Sequence, residues 1–326
     1  MNRRSALRTL TGMSAGCLLP ALFADHLRGS PVQNPENRAG NPPKDPEEFT
    51  LRSEARLVLL DVSVQDHDGG FVRDLSKENF KVSEDGRPQA ITIFDHDDLP
   101  VTVGLIVDES RSMTPKRNDV LEAAATFIQE SNPLDELFVV NFNDRVTLGL
   151  PPEKRFSGDI DELRAALYRG IPQGKTALYD GVVAGLKQLE LGQREKKALV
   201  VISDGGDNAS VHTRREIIDM VEKTPATIYA IGLYDMDDPD RNPGVLRDLA
   251  KISGGEAFFP ATPPETAPAC KRIAEEIRTR YTVGYRPDKG GRLLRRVSVQ
   301  VTSASNARLT VRARDRYWYE NGPAQN

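Results

Sequence analysis

The sequence predicts an α/β chain: a doubly wound, mostly parallel sheet inserted between β-strand segments that form a small β-sandwich. Three observations carry this expectation. Strand-like and helix-like runs alternate from Val101 to about Tyr281, the pattern of a parallel sheet covered by helices on both faces. Within that stretch Val101–Val107 and Ala198–Ile202 are almost wholly apolar, as strands buried on both sides are. Short alternating β patterns return on both flanks. Neither flank has enough strands to make a stable sandwich alone, so the two are expected to combine.

In chain order, residues 1–24 read as an export signal. Arg3-Arg4-Ser5-Ala6-Leu7-Arg8 precedes an uncharged, moderately apolar stretch, Thr9–Ala24, that ends in small residues. The paired arginines resemble the twin-arginine (Tat) type, with Ala6 where Phe is usual, and cleavage is expected after Ala24. The stretch is too short and too weakly hydrophobic for a membrane-spanning helix. Ser14-Ala15-Gly16-Cys17 also resembles a lipoprotein box, so a lipid anchor at Cys17 is a second reading. The chain is thus expected to be periplasmic or secreted.

Residues 25–50, rich in Pro, Asn and Gly, read as a disordered linker. Residues 51–98 hold alternating runs at 57–64, 80–82 and 90–94, separated by the turn signals Asp68-Gly69-Gly70 and Glu84-Asp85-Gly86. Residues 99–281 form the α/β unit, with strands at 101–107, 137–142, 198–203, 227–233 and 256–259. Helical stripes lie between them: Val120, Ala124 and Phe127; Leu178, Val182 and Leu186; Leu246 and Leu249; Cys270, Ile273 and Ile277. Residues 282–320 complete the sandwich, through a strand starting at Tyr281 and two more at 297–301 and 309–313, and 321–326 form a tail.

Bulk properties exclude some classes. With 38% hydrophobic and 28% charged residues, the 326-residue chain is ordinary for a globular protein. A net charge of −4 argues against a nucleic-acid binder, which normally presents a basic face. The short Arg292-Leu-Leu-Arg295-Arg296 stretch reads as the wet side of a strand. There are two cysteines. Loss of the leader would leave Cys270 alone, in a helical stripe where it reads as a small buried hydrophobe.

Three distant segments place oxygen-bearing side chains at one predicted sheet edge. They are Asp108-Glu109-Ser110-Arg111-Ser112, Thr176 after Gly174-Lys175, and Asp204 in Ser203-Asp204-Gly205-Gly206-Asp207. Ligands of open α/β sheets bind outside the carboxyl ends of the strands, so Asp108, Ser110, Ser112, Thr176 and Asp204 are expected to converge. Hard oxygens of mixed charge suit Mg²⁺, with positions left for water or a partner. Neutral hydroxyls leave the ion electrophilic and open to an Asp or Glu carboxylate from another protein. The plain alternative is that each fragment is a helix cap or a turn, where Ser, Thr and Asp are favoured.

Together these segments resemble the metal-ion-dependent adhesion site of a von Willebrand factor A domain. The surrounding runs Asp66–Leu75, Asn79–Gly86, Asp98–Gly104, Ile231-Gly-Leu and Tyr281–Pro287 are similar to the exported, acidobacterial-type VWFA-related family, from about residue 50 to the end. The resemblance implies that fold, a bound Mg²⁺, Mn²⁺ or Ca²⁺, and little defined biochemistry. Arg111 departs from it, since Gly is commoner there. Its side chain would shade the ion, pair with an incoming carboxylate or point to solvent.

Several fragments imitate other sites. Gly170-Ile-Pro-Gln-Gly174-Lys175-Thr176 nearly spells a phosphate-binding loop, but its glycine spacing is short and it follows a helical stretch, not a strand. Gly12-Met-Ser14-Ala-Gly16 matches a nucleophile elbow but lies in the leader. The acidic 235–242 loop lacks the turn Gly and terminal Glu of a calcium hand, although a weak extra Ca²⁺ site there is a second reading. His26, His67, His96 and His212 have no zinc spacing. A phosphohydrolase using Asp108 would usually need a carboxylate two residues on, where Ser110 stands, and the sequence places no base beside the site. The chain is therefore expected to be a binding module, not an enzyme. A metal-assisted hydrolase and a purely structural ion are the alternatives.

Overall fold

The computed structural model describes residues 57–233, 241–303 and 308–319. The expected export signal, linker, Cys17 anchor and carboxyl-terminal tail lie outside these residues, as does most of the 235–242 loop. In chain order the elements are β1 (Val58–Gln65), β2 (Phe80–Glu84), β3 (Arg87–Gln89) and β4 (Ile91–Asp95), then β5 (Val101–Asp108), α1 (Arg117–Glu130), β6 (Glu136–Phe142) and β7 (Val146–Leu148). There follow α2 (Ile160–Tyr168), α3 (Leu178–Glu190), β8 (Lys196–Ser203), α4 (Arg214–Lys223), β9 (Thr227–Gly232), α5 (Pro243–Ser253), β10 (Ala257–Phe258) and α6 (Thr266–Arg278). The chain closes with β11 (Tyr281–Tyr285), β12 (Leu294–Val301), β13 (Thr310–Arg312) and β14 (Arg316–Trp318).

The central sheet has the order β10-β9-β8-β5-β6-β7. Every pairing in it is parallel except β6 with β7. All residues of β5 are buried, which explains its unbroken apolar run. Helices cover the sheet with the faces that the periodicity marked. Val120, Ala124 and Phe127 of α1 and Leu178, Val182 and Leu186 of α3 are buried in one continuous core with the strands. Cys270 is a free thiol in that core, and burial pushes it up to about 12.

The flanking strands form two further sheets, β13-β1-β11-β4 and β14-β12-β2-β3. Each mixes strands from before and after the central unit, so the α/β unit is inserted into a sandwich that neither flank could build. Leu60, Val62, Phe80, Val82, Tyr281, Val283 and Tyr285 form its separate core. The basic stretch at the start of β12 is exposed as expected at Arg292 and Arg296 but not at Arg295. Arg295 is buried and donates to Glu84 at 2.6 Å, and Glu84 also accepts from the hydroxyls of Tyr285 and Tyr317, each at 2.7 Å. A cation is tolerated there because a buried carboxylate meets it with its remaining oxygen satisfied.

A second buried ionic group ties the α/β unit to the sandwich. Arg280, just after α6, donates to Glu276 at 2.7 Å, to the Gly254 carbonyl at 2.5 Å and to the Asp61 carbonyl at 3.2 Å. Arg312 of β13 reaches Glu276 at 3.3 Å and Glu256 at 2.6 Å. Gly254 closes α5 at φ +83. Its backbone lies so close to Ala313 and Arg314 that a Cβ would collide with them, so glycine meets both requirements.

Candidate metal centre

From β5 the chain passes to β6 on one side and later returns to β8 on the other. The strand order therefore reverses between β5 and β8, where α/β sheets open a crevice at their carboxyl ends. Val107 pairs with Ile202, so Asp108, the last residue of β5, and Asp204, just past β8, leave the sheet side by side.

The Asp108 side chain is buried between the two strand ends. Its Oδ1 accepts the Ser110 amide at 2.8 Å, and its Oδ2 accepts the Ser203 hydroxyl at 2.6 Å. The first bond curls the chain so that Ser110 and Ser112 face the same space. Their hydroxyls are 3.1 Å apart, and that of Ser112 donates to Asp204 Oδ2 at 2.5 Å. Asp204 Oδ1 accepts the Gly206 amide at 2.9 Å. Gly205 makes this turn at φ +83, against the Asn242 carbonyl, where a side chain would not fit. Asp108, Ser110, Ser112 and Asp204 are thus joined through short hydrogen bonds at one strand-end crevice.

Thr176, also buried, is tied by its backbone to the loop after Asp204 and not to these four side chains. Its carbonyl accepts the amides of Asn208 and Ala209 at 2.9 and 3.1 Å, and its amide donates to Asn208 Oδ1 at 3.0 Å. The Arg111 amide meets the Gly174 carbonyl at 3.4 Å, and the Arg111 side chain is exposed. The near-phosphate-loop segment follows α2, so no strand precedes it.

Burial, and next the negative charge of Asp204, push the Asp108 carboxyl up to about 7, against the hydrogen bonds from Ser110 and Ser203. Glu109 is pushed up to about 6 by burial, with Arg117 at 3.3 Å opposing. It borders a cavity of about 490 Å³ that is also lined by Asn143, Asp144, Gly170 and Gln173. Asp180, in the first turn of α3, is raised by burial but held lower on balance by hydrogen bonds from Val211 and His212. Among the described residues no three His, Cys, Asp or Glu side chains gather into a metal-binding cluster. The linked set Asp108, Ser110, Ser112 and Asp204 offers two carboxylates and two hydroxyls.

Sequence reasoning missed Ser203, whose hydroxyl is one of the Asp108 contacts. The available signal was a lone Ser closing an apolar run directly before Asp204. It also missed Asp180, Asp207 and Asn208, which look in sequence like ordinary cap and turn residues.

Residues 103–206 match the family model of the von Willebrand factor type A domain. The chain contains a von Willebrand factor type A domain. Solved structures similar to the chain include three with related descriptions. The von Willebrand factor type A structure from Catenulispora acidiphila is 13% identical with a TM-score of 0.49, over 82% of this chain and 75% of that one. The corresponding domain of the type V pili tip protein Mfa5 from Porphyromonas gingivalis is 15% identical, with a TM-score of 0.47, over 55% and 95%. Proximal thread matrix protein 1 from the mussel byssus, in a structure described as having a zinc-occupied MIDAS motif, is 18% identical with a TM-score of 0.46, over 61% and 50%. No curated relative matches the chain. Among the described residues no helix is long and apolar enough to cross a membrane.

Proposed function

We propose that this von Willebrand factor A domain is a metal-dependent protein-binding module that works outside the cytoplasm. Asp108, Ser110, Ser112 and Thr176 would hold a divalent cation, Mg²⁺ or Mn²⁺, with Asp204 bound directly or through water. A carboxylate from a partner protein would complete the coordination. The observation that carries this reading is the linked set Asp108, Ser110, Ser112 and Asp204: two buried carboxylates and two hydroxyls at one crevice. Hard oxygens of this kind suit Mg²⁺ or Mn²⁺ and offer nothing soft for a thiophilic metal. Like charges buried together are costly unless a cation or proton joins them, so the donor set fits the ion.

The chain's own residues would orient the site and exclude water from its floor. Ser203 and the Ser110 amide fix the Asp108 carboxylate, while Gly205 and Gly206 turn Asp204 back towards it. The ion, when bound, supplies a Lewis-acidic position for the incoming acid. Binding is favoured over turnover because these contacts engage no base. His212, on the loop after Asp204, has Nδ1 committed to Asp180 at 2.6 Å.

The test is calorimetric titration of the intact exported chain with Mn²⁺ and Mg²⁺, beside Asp108→Ala. Wild type is expected to take up one ion, and the variant to lose at least ten-fold in affinity with its circular dichroism unchanged. Affinity capture from envelope extract, with and without chelator, then shows whether partner release follows the ion. A wild-type protein that takes up neither metal would overturn the proposal.

A further inference from the structure

The loop that carries Thr176 and the loop that follows Asp204 are laced together. Beyond the contacts of Thr176 with Asn208 and Ala209, the Tyr179 amide donates to Asp207 Oδ2 at 3.0 Å, and the Asp180 amide donates to the Ser210 hydroxyl at 3.1 Å. Traffic also runs the other way. Asp180 Oδ2 accepts the Val211 amide at 3.0 Å, while Oδ1 accepts the His212 amide at 3.1 Å and its ring Nδ1 at 2.6 Å. The Ser210 hydroxyl closes the set by donating to Asp207 Oδ2 at 2.5 Å.

This lacing exceeds what helix α3 needs. No residue of its own caps the helix start: Ala177 is at the cap position and makes no side-chain bond. The free amides of the first turn are satisfied instead by Asp207 and Ser210 from the other loop, and Asp180 returns the service to amides of that loop. Each loop thus completes the hydrogen bonding of the other. The loop after β5 meets this pair through fewer bonds: Ser112 to Asp204, the Gln173 amide to the Glu109 carbonyl at 2.9 Å, and the long Arg111–Gly174 contact.

We infer that Asp180 and Asp207 are positioning residues that fuse the Thr176 and Asp204 loops into one rigid jaw, against which the Asp108–Ser112 loop closes when the proposed site takes up its cation. The inference rests on the metal-binding reading for its consequence. The rigidity of the jaw is a property of the chain by itself. It follows that two of the three ligand loops are in place before the ion arrives, and that ordering on binding is confined to residues 109–112.

The test combines two measurements on the intact chain. Amide hydrogen exchange without metal is expected to show residues 208–212 as protected as α3 in wild type, and exchanging at least ten-fold faster in Asp180→Ala and Asp207→Ala. Mn²⁺ titration is expected to show affinity falling about ten-fold in each, the size usual when a residue that orients a metal ligand is removed. Asp180→Asn, which keeps one accepting oxygen, should recover part of that loss and guards against a variant that does not fold. Asp159→Ala removes a comparable cap, one whose side chain accepts only the Asp161 and Glu162 amides of its own helix α2, and should leave Mn²⁺ affinity unchanged. If wild type binds Mn²⁺ and both alanine variants bind it equally well, the positioning role is wrong while the metal reading stands. If wild type binds no Mn²⁺ but the exchange pattern holds, the jaw stands and the metal reading falls. Fast exchange of 208–212 in wild type would sink the inference outright.

Discussion

Asp108 and Asp204 sit buried at adjoining strand ends, and the charge of Asp204 makes that of Asp108 harder to hold. Replacing one by its neutral isostere should therefore relieve the metal-free protein even as it spoils the site. Asp108→Asn is expected to raise the melting temperature measured in chelator, by the equivalent of about 1–2 kcal/mol. Mn²⁺, expected to stabilise wild type by mass action, should do little for the variant. A variant that melts lower than wild type in chelator would mean that Asp108 serves the fold. The same two residues explain what was legible at this scale. Asp-x-Ser-x-Ser and the distant Asp could be read because they follow apolar runs whose direction fixes where they emerge. Ser203 could not be read, since one hydroxyl closing a buried strand resembles filler until its partner is known. Arg295 misled for the opposite reason: its charge suggested water, and only the fold brings Glu84 to meet it.

Among the elements, α6 shows how a helix can be pinned at one end. Glu276 in its last turn is fully buried between Arg280 and Arg312. Burial works against its charge, but the two guanidinium groups outweigh it and hold the carboxyl below its ordinary value. A carboxylate with a lowered folded pKa stabilises above its unfolded pKa and loses that contribution as pH falls through the folded value. Glu276→Gln should therefore cost about 3–5 kcal/mol at pH 7, because it leaves the buried Arg280 without its carboxylate and takes from Arg312 one of its two. The gap between variant and wild type should narrow below about pH 4, where unfolded glutamate takes up its proton. Urea denaturation at pH 7 and pH 3.5 measures both. A gap that widened in acid would contradict the assignment. Elements outside the reach of pattern were missed for identifiable reasons. Helix α4 is mostly polar and buries only Ile217, Val221 and Glu222, too thin a stripe to stand out. Strands β7 and β14 are three residues each, shorter than any alternation can mark. The last helix begins at Thr266, after a short 3₁₀ turn that no apolar stripe marks.

For the whole molecule, the insertion was legible because alternating runs on two sides of an α/β pattern had nowhere else to pair. How firmly the two cores are joined was not, since Arg280, Arg312 and Arg314 are unremarkable charges in the sequence. In the fold Arg280 reaches the Asp61 carbonyl of β1 and the Gly254 carbonyl after α5, while Arg314 donates to the Thr224 carbonyl at 2.5 Å. If the sandwich unfolded alone, Glu276 would lose Arg312 and Arg280 would lose one of its carbonyls. Stranding such groups costs several kcal/mol, comparable with the whole stability of a small sandwich. The two cores are therefore expected to unfold together. Calorimetry of the full chain should give one transition with equal calorimetric and van't Hoff enthalpies. Leu60→Ala, a cavity in the sandwich core, should lower that single transition by about 2–5 kcal/mol and expose α/β amides to hydrogen exchange as much as sandwich amides. Two resolved transitions, with Leu60→Ala moving only one, would show that the ionic join between the cores contributes little.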